Sequence, residues 1–144
     1  MGIRTFATFR ATGFPDESQW TASGSPLVPD GRSVSGAIVS ALQSLGHQVS
    51  EPAQHSFYGW AFTVTGVKRA EWCLLQGGDP WLFLVEEKQP AWRRLVACGE
   101  SADLLAVLHA LDHALKGDSR FSSVQWFTKR DYETGVRQGA ETPL

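Results

Sequence analysis

The sequence predicts an α+β fold: a mainly antiparallel sheet, centred on a meander at about 57–88, with terminal strands and two helices packed on one face. Three observations carry this. Three strand-like runs follow one another between Phe57 and Lys88 with connectors of only a few residues, the spacing of antiparallel hairpins. Two stretches, about 33–46 and 101–116, repeat apolar residues at three- and four-residue steps, the signature of a helix with one buried stripe. Each helix has a single stripe, so both have one sheet face to bury it against.

The chain has 144 residues, 42% of them apolar and 19% charged, which fits one globular domain over 1–144. Residues 3–9, IRTFATF, alternate loosely and predict a first strand. Residues 13–32 hold Gly13, Pro15, Gly24, Pro26, Pro29 and Gly31, so they are expected as one long loop. Loops of that size tend to carry function.

SVSGAIVSALQSLG, 33–46, is the first helix. Ser33 is a plausible N-cap, and Val34, Ala37, Ile38, Ala41, Leu42 and Leu45 form the stripe. Gly46 suits the left-handed position just past the end.

The meander follows. FYGWAFTVTG places Tyr58, Trp60, Phe62 and Val64 on one face. AEWCLLQGG sets Trp72 and Leu74 against Cys73 and Leu75, and WLFLVEEK sets Trp81, Phe83 and Val85 against Leu82 and Leu84. The last two strands are apolar on both sides, and the helices can cover only one. The other face needs shelter, because large exposed apolar patches are rare on monomers. The N-terminal segment with its long loop, a second copy of the chain, or another protein are the candidates.

In the second helix, ESADLLAVLHALDHALKGD, Ser101 is placed to cap, Asp103 to favour the first-turn amides, and Lys116 with Gly117 to end it. Leu104, Leu108, Leu111 and Leu115 form the core stripe. His109 and His113 fall on the opposite side among Ala102, Ala106, Ala110 and Ala114. Two imidazoles four residues apart can share an ion, but a metal site takes three or four ligands, and no Glu follows the first histidine as a metalloprotease helix requires. The pair is read as exposed surface, with no metal expected. SSVQWF, 122–127, predicts a last strand, and 129–144 a flexible tail.

The formal charge is −2 and the basic residues are scattered, which argues against a nucleic-acid partner. No apolar run approaches the roughly 20 residues of a membrane helix. Met1–Arg10 lacks the apolar core of a signal peptide. The two cysteines, Cys73 and Cys98, are no CxxC pair and are expected as free thiols in a reducing cytoplasm. No nucleotide-binding or nucleophile-elbow motif is present. Glu86 and Glu87 are neighbours on a strand and point apart, a poor acid/base pair. No catalytic residue and no cofactor is therefore expected.

Six tryptophans in a chain this short are many. Each buries a large area yet places its indole N–H near an acceptor, and some are expected to line a groove or interface. Tyr58, Trp60, Trp72, Trp81 and Phe83 are the candidate binding residues. The first functional expectation is a non-catalytic, cytoplasmic binding protein with a protein partner or a second copy of itself. The second is an enzyme or small-ligand domain with an aromatic pocket under the 13–32 loop. The order helix, three-strand meander, helix, strand resembles that of small bacterial α+β groups such as interbacterial immunity proteins and secretion chaperones. That resemblance, which no residue motif accompanies, implies an immunity or adaptor role.

Overall fold

The computed structural model describes residues 3–87 and 102–144. Ser101, the expected helix cap, and Cys98 lie outside the described residues, as do Trp92 and Lys88. The strands are β1 (Phe6–Ala11), β2 (Gln19–Trp20), β3 (Pro26–Val28), β4 (Gln48–Val49), β5 (Ala53–His55), β6 (Gly59–Thr65), β7 (Ala70–Gln76), β8 (Trp81–Glu87) and β9 (Phe121–Phe127). The helices among the described residues are α1 (Arg32–Ser44), α2 (Ala102–Gly117) and α3 (Lys129–Glu133).

The main sheet runs β4-β6-β7-β8-β1-β9, with β5 also on the outer edge of β6. Every pairing in it is antiparallel. The meander β6–β7–β8 stands where the connectors place it. The first strand does not shelter a sheet face. It enters the sheet between β8 and β9, pairing Ala7 with Phe83 on one side and with Trp126 on the other.

Residues opposite each other across antiparallel strands share a face. One such row runs Trp60, Leu75, Phe83, Ala7, Trp126 across five strands, and all five are buried. The helices cover this face. Val34, Ile38 and Leu42 of α1 and Leu104, Leu108, Leu111 and Leu115 of α2 join the sheet residues in one core. At roughly 1.5–3 kcal/mol for each large apolar side chain removed from water, this layer orients both helices.

Ser33 does not cap α1. The N-cap is Gly31, whose φ of 118° suits a residue without a side chain. A Cβ there would lie 2.9 Å from the Trp81 ring. The free first-turn amide of Ser33 is instead met by the Glu17 carboxylate, at 2.7 Å, from sixteen residues upstream. At the other end Gly46 adopts φ 92°. Its N–H reaches Gln43 O while His47 N–H reaches Leu42 O, the closing pattern expected of a glycine past a helix end.

Asp103 lies in the first turn of α2 but turns to the sheet. Its carboxylate accepts from the backbone N–H groups of Val67, Lys68 and Arg69 at 2.8–2.9 Å, capping the β6–β7 turn. His109 and His113 are exposed, whereas Ala110 and Ala114, placed beside them on the wheel, are buried. The two helices are in contact, and Ala114 lies beside Ala41 and Leu45 of the α1 end.

The 13–32 segment carries the two-stranded β2–β3 ladder and forms an arm. After β9, α3 brings Tyr132 to 5.2 Å from Phe6 and 6.0 Å from Phe127, on the sheet face away from α1 and α2. Beyond it Ala140 bridges Trp126, and the Pro143 carbonyl accepts from Arg4 N–H at 2.8 Å. No helix among the described residues is long and apolar enough to cross a membrane.

Candidate binding site at the arm

Three segments meet at one end of the sheet: the arm, the β5–β6 turn and the β7–β8 turn. The arm is pinned from three directions. Trp60 Nε1–H donates to Pro29 O at 2.9 Å, Gln54 Nε2 donates to Leu27 O at 2.8 Å, and Glu17 holds the start of α1. Inside the arm, Asp30 Oδ1 accepts from the amides of Glu17 and Gly31, and Asp16 Oδ1 accepts from the amide and hydroxyl of Ser18. The Ser18 hydrogen bonds hold the Asp16 carboxyl below the usual carboxylate range, so it is ionised at neutral pH.

Between these segments lies an open cleft of about 360 Å³. Asp16, Trp20, Val28 and Asp30 line it from the arm, Phe57 and Tyr58 from the β5–β6 turn, and Gly77 and Gly78 from the β7–β8 turn. The aromatic side chains are open to solvent: Trp20 is 61% exposed, Phe57 56% and Tyr58 41%. Leu27, also on the arm, adds a further exposed apolar side chain. The turn conformation fixes this arrangement. Ser56 takes φ 55°, which sends Phe57 and Tyr58 outward before β6 begins. Their rings meet edge to face at 5.5 Å, and His55 meets Tyr58 at 5.6 Å.

The structure separates the five aromatic residues singled out from the sequence. Tyr58 lines the cleft. Trp60 is buried behind it, under the arm, with Arg32 5.9 Å above its ring. Trp81 packs under Gly31, and Phe83 lies fully inside the core. Trp72 lies on the opposite sheet face, 5.1 Å from the His55 ring. Trp20 and Phe57 are the cleft residues that strand periodicity does not find. The signal for them is the pairing of a large aromatic with turn-forming neighbours, in SQWTASGSP and HSFYG.

A second cluster lies at the far end of β6 and β7. Glu71, next to the apolar run Trp72–Leu75, is fully buried on the helix-covered face, and among the described residues neither carboxylate oxygen has a hydrogen-bond partner. Its cross-strand neighbour is Glu87, which pairs with Arg69. Burial first, then the charges of Glu87 and Asp103, push the Glu71 carboxyl up to about 7, against the opposing pull of Arg69. Cys73, two residues along the same face, is a buried free thiol whose ionisation burial also opposes. A carboxyl that titrates near neutrality is what acid/base chemistry uses, but the Glu71 oxygens are sealed from solvent.

Comparison with protein families, with curated proteins and with solved structures returns no match.

Proposed function

We propose that the chain is a non-catalytic protein-binding domain of immunity or adaptor type, and that its partner docks in the cleft between the arm and the two turns. One observation carries the reading. Trp20, Leu27, Phe57 and Tyr58 are grouped at one end of the sheet and exposed, although an apolar group of this kind gains by being covered. Aromatic residues are also the ones that anchor protein interfaces. The arm is held by backbone-directed hydrogen bonds, so the cleft is formed in advance of binding and little ordering opposes association. The free thiol of Cys73 supports a reducing, cytoplasmic setting.

The alternative, an enzyme or small-ligand domain with an aromatic pocket under the 13–32 segment, would use the same cleft, whereas the carboxyl raised toward neutrality is that of Glu71. It lies at the other end of β6 from the cleft and faces the core, which favours binding over catalysis.

The test is capture from the native host. A protein retained by the wild-type chain should be lost when Trp20→Ala, Phe57→Ala and Tyr58→Ala are combined, with circular dichroism unchanged because all three side chains are exposed. Retention of the same protein by the triple variant would overturn the proposal.

A further inference from the structure

We infer that the cleft takes the guanidinium of an arginine carried on an extended segment of a protein partner. This rests on the reading of the cleft as a docking site and adds what docks there.

Charge is the first argument. Asp16 and Asp30 each commit only Oδ1 to the arm's own donors. Among the described residues neither forms an ion pair, and no Lys or Arg lines the cleft. Arg10, whose partner Asp79 follows Gly78, is engaged with that carboxylate at 3.6 Å. The cleft lining therefore carries two acidic residues and, among the described residues, no basic one, and a cation is the complement that such a lining lacks.

The aromatic walls are the second. Exposed indole and phenyl faces attract a cation placed within about 6 Å, tryptophan most strongly. Among the described residues the fold already uses this contact, with Arg32 over Trp60 and Arg120 4.4 Å over Phe14. A planar guanidinium can stack on a ring while its edge forks to a carboxylate, which the compact ammonium of lysine cannot do.

Size is the third. A space of about 360 Å³ accepts one long side chain with a few residues of backbone.

The full-length chain, labelled with ¹⁵N, is titrated with the peptide Ac-Gly-Ser-Gly-Arg-Gly-Ser-NH₂ and with its glutamine counterpart. The arginine peptide is expected to shift the Trp20 indole and the Gly77 and Gly78 amides, and to bind at least about fivefold more tightly than the glutamine peptide. Asp16→Asn with Asp30→Asn keeps an acceptor at each position for the arm, and should remove that preference. Raising salt from about 50 to about 500 mM should weaken the arginine peptide alone. Equal binding of both peptides at the cleft overturns the arginine inference and leaves the docking reading standing. So does arginine binding that is indifferent to the two aspartates. No shift at the cleft with either peptide also overturns the inference, and the docking reading is then judged separately by the capture experiment.

Discussion

Glu71 is the residue at which this fold departs furthest from ordinary core chemistry. A carboxyl that is buried and, among the described residues, without a partner costs least when it carries its proton, and burial is the leading reason its titration moves up to about 7. The sign of the consequence follows from linkage. Below the ordinary glutamate value of ~4.3 the folded and unfolded chains both hold the proton. As pH rises from there to about 7 the unfolded chain loses it while the folded chain keeps it, so stability falls across that window and levels off above it. At ~1.36 kcal/mol per pH unit the loss is on the order of 3 kcal/mol. Urea denaturation of the wild type between pH 4.5 and 8 should show this decline, and Glu71→Gln should flatten it. An identical slope in the variant would mean that another group titrates. Glu71 could be placed from the sequence only by combining strand parity with the register to Glu87, and AEWCLLQ by itself does not say which side of the strand is covered. The same gap separates the candidate aromatics. Parity groups Trp60 with Phe62, but which face the helices cover, and so that Phe83 lies in the core and Trp72 on the other side, is decided by packing.

Among the elements, α1 and α2 show what local pattern does and does not carry. Their apolar stripes and the glycine closure at Gly46 are written in residues three and four apart. Their beginnings are not, because the donors and acceptors come from distant segments. Glu17 supplies what Ser33 was expected to supply, and Asp103 serves the β6–β7 turn instead of its own helix. Glu17→Ala should therefore cost about 1 kcal/mol, the usual worth of a helix cap, measured as a lower urea midpoint. An unchanged midpoint would show that water replaces the carboxylate at no cost. In α2 the leucine stripe orients the helix, so His109→Ala with His113→Ala should stay within about 0.5 kcal/mol of wild type. Leu111→Ala, at a fully buried position, should lose roughly 2–5 kcal/mol. If the histidine variant loses as much as the leucine variant, the two imidazoles have a structural role that their exposure does not suggest. The short strands β4 and β5 escape sequence reading for a related reason. QV and AQH are too brief and too polar to show alternation, with Pro52 between them, and they exist because β6 offers an edge to pair with.

For the whole molecule, the antiparallel meander and the two helices on one face were legible because each depends on short-range periodicity and connector length. The insertion of β1 between β8 and β9 was not, since strand order is set by which edges remain unpaired once the meander has formed. The cleft was half legible. The long 13–32 segment and Tyr58 point to it, while Trp20 and Phe57 acquire their meaning only when the arm folds back and the Ser56 turn sends the ring of Phe57 outward. We propose that a partner docks at this end of the sheet and not elsewhere. Phe57 and Val67 flank opposite ends of the seven-residue β6, a strand roughly 20 Å long, and Val67 is 94% exposed. A photo-crosslinking p-benzoylphenylalanine placed at one position or the other, in the native host, distinguishes the two ends. A covalent adduct with a single protein from position 57, absent from position 67, is the predicted result; an adduct from position 67 alone, or the same adduct from both, would contradict it.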